Sequence, residues 1–188
     1  MVNKSTAQLI TIFSKAGLLK DIKRTGWVVK GIKNAESVAD HSWRMSFLVI
    51  LLAPKNLNRQ KLLEMSIVHD LGEIGVGDVI WERGNKVISS QEDKRSDEFK
   101  AFQLLFKNYG DSSPLDLLRE FNEQKTEEAK FVKQIDKLEM ALQALEYEQQ
   151  GWSKKDLNEF WENSEKYLTG TSLEPLFREL EKIREKQV

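Results

Sequence analysis

Apolar residues recur three and four positions apart along most of the 188-residue chain, a period that suits amphipathic helices packed on one another. Strand-like alternation is scarce, so an all-α fold is expected. Caps divide the pattern. "STAQLITIFSKAGLL" starts at a Ser/Thr cap and reaches Gly17, and "SVADHSWRMSFLVILLAP" opens with Ser37 and Asp40 at capping-box spacing and stops before Pro54. Asn58 opens "NRQKLLEMSIVHDL", which is expected to run to Gly72, and a glycine-bearing loop is expected from there to Ser89. Ser89 with Glu92, or Ser90 with Asp93, would cap a helix through Tyr109, and Ser113-Pro114 would start a short one. Thr126 to Gln150 is the longest helical stretch, Ser153 with Asp156 opens the next, and Ser172 the last. The length fits one domain over residues 1–188, with the helices from about residue 152 peripheral.

Cysteine is absent, so any metal must be held by nitrogen and oxygen. The longest apolar run, Phe47 to Ala53, falls far short of the roughly 20 residues a membrane span requires. No export-type cleavage site follows the first apolar run, which makes the cytoplasm the default location and a membrane an unexpected partner. A net charge of -1 argues against an extended surface for a nucleic-acid polymer. It leaves a small anionic ligand open.

The two histidines both fall on apolar helix faces: His41 lines up with Val38, Met45, Leu48 and Leu52, and His69 with Leu62 and Met65. Asp70 follows His69. Asp136 stands between Val132 and Met140, at the edge of the stripe made by Val132, Ile135, Leu138 and Leu142, where a carboxylate should be partly buried. A buried carboxylate must be neutralised, hydrogen-bonded or coordinated to a cation. One divalent ion would satisfy His41, His69, Asp70 and Asp136 together. Two imidazoles with two carboxylates suit Mn, Co, Fe, Ni or Zn and do not choose among them.

Three stretches, "RTGWVVKGIKNAESVADHSWRM", "IVHDLGEIGVGD" and "AKFVKQIDKLEMALQALEYE", carry these residues in an order that resembles the HD-domain metal-dependent phosphohydrolases, and within them the 5′-deoxynucleotidase subgroup. The resemblance extends to about Glu148. It implies an HD-domain helical bundle with a one-metal site in its core, acting on 2′-deoxyribonucleoside 5′-monophosphates to release a deoxyribonucleoside and phosphate. It also implies a homodimer. With only two histidines, the chain lacks the further ligands of two-metal relatives. Two other readings stand beside it: an HD hydrolase of a nucleoside triphosphate or alarmone, and a non-catalytic, metal-stabilised interaction module.

Glu73, at i+4 from His69 and i+3 from Asp70, is the candidate general acid/base, provided the helix persists that far. Asp78 across the loop could position water or the sugar hydroxyl, and the resemblance also marks it as catalytic. The glycines beside them could let backbone approach a ligand. The resemblance singles out Arg24 for the phosphate and Trp27 for the nucleoside. The bacterial relative has Arg directly before its Trp, whereas here Gly26 stands there and Arg24 lies two positions earlier. Plainer readings remain for each: Glu73 as a cap or ion-pair partner, Asp78 as a turn residue after Gly77, Arg24 in a surface ion pair, Trp27 in the core. "SSQEDKRSDEFK", with Lys94 and Arg95, is read as a solvated helix face, and Trp161 and Tyr167 as packing residues.

Overall fold

A computed structural model describes residues 6–78, 82–83, 86–87, 91–107 and 109–186. The elements in order are α1 (Thr6–Ala16), a 3₁₀ turn (Gly17–Lys20), α2 (Thr25–Val28), α3 (Val38–Leu52), α4 (Arg59–Val68), α5 (Glu73–Val76), β1 (Glu82–Arg83), β2 (Lys86–Val87), α6 (Gln91–Leu105), α7 (Ser113–Glu123), α8 (Glu127–Gln149), α9 (Lys154–Leu168) and α10 (Glu174–Lys186). The fold is a helical bundle. Among the described residues its strands are an antiparallel pair of two-residue segments in which Glu82 faces Val87 and Arg83 faces Lys86.

The caps explain most of the boundaries. Ser37 and Asp40 form a reciprocal capping box at the start of α3, Asn58 accepts from Lys61 N at α4, Thr126 accepts from Ala129 N at α8, and Ser153 accepts from Asp156 N at α9. Each satisfies a backbone N–H left over in a first helical turn. Four boundaries differ from expectation. α6 ends at Leu105, short of Tyr109. Ser112 rather than Ser113 occupies the cap position of α7, and its hydroxyl donates to Asp116 instead of capping the backbone. α10 begins at Glu174, two residues after Ser172. α4 ends at Val68, and beyond His69 the backbone bonds shorten to three-residue steps: Leu71 N to Val68 O, Glu73 N to Asp70 O, Ile74 N to Leu71 O and Gly75 N to Gly72 O. The proposed caps Ser89 and Ser90 lie outside the described residues, as do the side chains of Lys94 and Arg95.

α8 is the axis of the bundle. Phe131, Val132, Ile135, Leu138, Ala141, Ala144 and Leu145 are all buried along it, the all-round pattern of a helix enclosed by neighbours. α9 packs against it most extensively, and α3, α4, α7 and α10 surround it. Leu157, Phe160, Trp161 and Leu168 of α9 and Phe177 and Leu180 of α10 join the same apolar cluster. The core therefore holds α3, the end of α4 and the middle of α8 in fixed relation, which brings together residues distant in sequence.

Candidate metal centre and active site

His41 lies on the inner face of α3 and is fully buried. His69 closes α4, its N–H still donating to Met65 O, so it keeps the helical direction that Leu62 and Met65 set. Asp70 is the first residue past it. In the tight turns that follow, the two neighbours can face the same point, and His69 Nε2 comes to 3.1 Å from Asp70 Oδ2. Single ligand atoms of His41, His69 and Asp70 all lie within 4.8 Å of one another. Asp136, 5% exposed on α8, places Oδ1 3.3 Å from His41 Nε2.

The outer ring nitrogens are already engaged. His41 Nδ1 is bonded to the carboxylate of Glu139, and His69 Nδ1 lies 3.0 Å from the carbonyl of Ser66, to which it donates. Both Nε2 atoms are buried and make no hydrogen bond, although Asp136 Oδ1 lies 3.3 Å from the first and Asp70 Oδ2 3.1 Å from the second. Two such imidazole nitrogens beside two carboxylates fit a divalent cation: a ligating histidine typically donates its other N–H to a carboxylate or carbonyl.

Burial and Arg24 both press His41 toward its neutral form, yet Glu139 and Asp136 outweigh them and the imidazole is raised to about 10. Burial would raise Asp70, but His69, Arg24 and His41 hold it well below the usual carboxylate range. Asp136 is likewise held low against burial, by Lys133, Lys137 and His41. Asp70 and Asp136 are thus held ionised beside the two imidazoles, the form in which a carboxylate coordinates a cation.

Arg24 is drawn into this cluster. Its Nη1 donates to Asp70 Oδ2 at 3.0 Å, and Nη2 lies 4.0 Å from Asp136 Oδ1. Burial opposes its charge, but Asp78, Asp70, Asp136 and Glu73 together raise it well above its ordinary value. Glu73 is fully buried at the start of α5. Asp78 follows Gly77, whose φ of 77° is open chiefly to glycine. Its Oδ2 accepts from Thr25 N at 2.5 Å and its carbonyl from Thr25 Oγ1 at 2.6 Å, which pins the end of the "GEIGVGD" stretch to the residue after Arg24.

Two features of the site are set by packing. Trp27 is a core residue, 2% exposed, lying 3.9 Å from the ring of Phe160 and edge-on to Tyr147, with its N–H donating to Glu36 at 2.8 Å. These surroundings are those of the plainer reading, a core residue. The glycines beside Glu73 serve helix packing: a Cβ on Gly72 would fall 2.6 Å from the carbonyl of Glu98, and one on Gly75 would fall 2.5 Å from Ala101 Cβ. They admit α6, not a ligand.

Sequence reasoning missed Glu139 and Arg44. Glu139 is fully buried, bonds His41 and accepts from Arg44 Nε at 2.8 Å. Burial would raise it, but His41, Arg44 and Arg24 keep it low. Its signal was its place at i+4 from Ile135, a carboxylate on a buried face with no local partner. Lys133 and Lys137, which converge on Asp136 Oδ2 at 2.7 and 3.7 Å, were missed too.

Known proteins resemble this chain. The HD domain family model matches residues 16–174. A mouse protein, 5'-deoxynucleotidase HDDC2, is 32% identical over 181 residues, covering 96% of this chain and 90% of that protein. The 5'-deoxynucleotidase hdd1 of Schizosaccharomyces pombe is 38% identical over 149 residues, covering 76% of this chain and 73% of that protein. Among solved structures, a conserved hypothetical protein from Pyrococcus furiosus superposes with a TM-score of 0.74 at 36% identity, over 94% of this chain and 99% of that one.

Proposed function

The chain belongs to the HD-domain family, and from that premise we propose that it is a divalent-metal-dependent 5′-deoxynucleotidase, hydrolysing 2′-deoxyribonucleoside 5′-monophosphates to deoxyribonucleoside and phosphate. The observation that carries the reading is the pair of buried, hydrogen-bond-free imidazole Nε2 atoms beside Asp70 and Asp136. His41, His69, Asp70 and Asp136 would hold one ion, and the donor set leaves its identity open among Mn, Co, Fe, Ni and Zn. When bound, such an ion polarises a phosphoryl oxygen and acidifies a coordinated water.

The chain's own groups do the rest. Arg24 is placed to turn from Asp70 to a phosphate oxygen once the aspartates are engaged by the ion. Glu73, one tight turn beyond Asp70, would take the proton of the attacking water and return one to the departing 5′ oxygen. Asp78 orients the far side of the site through Thr25, and Trp27 contributes by holding the wall behind Arg24. Water attacks phosphorus directly, so no side chain becomes phosphorylated. The chain would act as one domain and as a cytoplasmic homodimer; light scattering should then give twice the 21.8 kDa chain mass.

The decisive assay follows free phosphate from each deoxyribonucleoside monophosphate, with and without chelator. Turnover is expected with metal and none after chelation, and Glu73→Gln should bind the ion normally while losing about 100- to 10,000-fold in kcat. Chelator-insensitive turnover, or none with any of the five metals, would refute the assignment. Pyrophosphate or triphosphate as product would favour a triphosphate or alarmone hydrolase instead.

A further inference from the structure

His41 and Arg44 stand three residues apart on α3, and Asp136 and Glu139 three apart on α8, so the two pairs face each other where these helices pack. His41 therefore lies between two carboxylates. Asp136 Oδ1 is 3.3 Å from its Nε2, on the side of the candidate metal centre, and Glu139 holds its Nδ1 on the other side. Glu139 is fully buried and divides its oxygens: Oε2 bonds the imidazole, and Oε1 receives Arg44 Nε and Nη2 at 2.8 and 2.7 Å. The same guanidinium donates to Gln143 and, at 2.7 Å, to Glu146, with Glu36 further off at 3.9 Å, so it lies along the face of α8 that residues 139, 143 and 146 share. An ion pair with Arg44 is complete through Oε1 alone. The second oxygen is turned to the ring. His69 differs, because its Nδ1 is held by a carbonyl of its own helix, that of Ser66.

We propose that Glu139 and Arg44 are positioning residues of the metal centre: Arg44 anchors Glu139, and Glu139 keeps the His41 N–H at Nδ1, so that Nε2 is the nitrogen left for the ion. The inference rests on the metal-dependent reading of that centre, and the chain of bonds from Arg44 to His41 carries it. A neutral imidazole has one N–H and two places for it, and an ionised carboxylate can only accept. Fixed against Nδ1, Glu139 decides which place is used and makes the ring a better donor at Nε2. Arg44 keeps that carboxylate from turning away. Because Asp136 and Glu139 share one rigid helix, the ligand and the anchor of His41 are set at a constant separation. A neutral amide at position 139 fails in either orientation. With its NH2 toward Arg44 it sets donor against donor, and with its NH2 toward His41 it sends the ring proton to Nε2, where the ion belongs.

The test uses Co2+ as the probe, titrated calorimetrically into the metal-free protein and followed by its visible absorption, which reports ligand geometry without any turnover. Glu139→Gln should weaken Co2+ binding by about 10- to 100-fold and alter the spectrum. Arg44→Lys keeps the charge but loses the fork, and should weaken binding less. Added to Glu139→Gln it should bring no further loss, because Arg44 acts through Glu139. Glu146→Gln removes another partner of Arg44, at its exposed end, and should leave affinity and spectrum as in wild type. A lowered Tm in Glu139→Gln with unchanged Co2+ affinity and spectrum would overturn the proposal, since Glu139 would then only join the helices. So would additive losses in the double variant. Should Glu139→Gln not fold, Arg44→Lys decides alone, and unchanged affinity there overturns the proposal too. If the variants behave as expected but wild type hydrolyses no monoester, the nucleotidase reading falls and the positioning role stands. Chelator-sensitive turnover beside variants that bind Co2+ as wild type does would reverse that outcome, and a wild type that takes up none of the five candidate ions would refute both.

Discussion

Glu36 shows how charge is managed at single residues around this site. It accepts from the indole of Trp27, its backbone N–H donates to the Tyr147 hydroxyl, and burial together with the nearby charge of Glu139 raises it to about 7, against the opposing pull of His41, Arg24 and the Trp27 bond. A folded-state value above the ordinary 4.5 means the native state holds this proton more tightly than the unfolded chain. The stabilisation is complete below about 4.5 and is lost as pH rises through about 7. Glu36→Gln keeps the acceptor for Trp27 and removes the titration. Its stability relative to wild type should therefore improve from pH 5 to pH 8, by at most about 3 kcal/mol at 1.36 kcal/mol per unit, as read by denaturant melts across pH. At this scale the burial of His41, His69 and Asp136 was legible because such side chains on or beside apolar helix faces contradict their surroundings, whereas Asp70 was singled out only by its place after His69. Lys133 and Lys137 were not, since lysines four apart on a helix are ordinarily a solvated face, and only Tyr167 and Phe121 arriving from α9 and α7 enclose them.

Among the elements, the meeting of α5 with α6 is the tightest constraint near the site. Gly72 and Gly75 leave no room for a methyl group against Glu98 and Ala101. Gly72→Ala should cost about 1–3 kcal/mol, as overpacking does, and should lower kcat as well, because Glu73 is the next residue and moves with its backbone. Circular-dichroism melts and the phosphate assay together check both effects, and an unaltered kcat in a destabilised variant would separate the packing role from placement of Glu73. Helix starts were legible wherever a Ser, Thr or Asn side chain does the capping, as at Ser37, Asn58, Thr126 and Ser153. The end of α4 was not. Nothing in "VHDLGEIG" announces the change to three-residue hydrogen bonds, which becomes intelligible only beside α6, where the chain must press its glycines against another helix. The one-turn α2 was missed for a similar reason: its place depends on Trp27 lodging between Phe160 and Tyr147.

For the molecule as a whole, the bundle axis carries Asp136, Glu139 and the lysine pair on one helix, while α3 and the end of α4 bring the imidazoles to it. The all-α class followed from periodicity; the meeting of residue 24 with residues 70, 78 and 136 did not, because no local pattern encodes a contact made across the fold. That contact depends on the clasp between Thr25 and Asp78. Thr25→Val removes one of its two bonds and should lower kcat/KM, and adding Asp78→Ala should cost far less than the two separate losses combined. Additive effects in that double-mutant cycle would show that the clasp does not act as a unit. Joining these loops means that neither can be retuned alone: a change that shifts the backbone at residue 78 also shifts Thr25 and the guanidinium one residue before it, so that under the proposed roles sugar selectivity and phosphate grip would be inherited as a single trait.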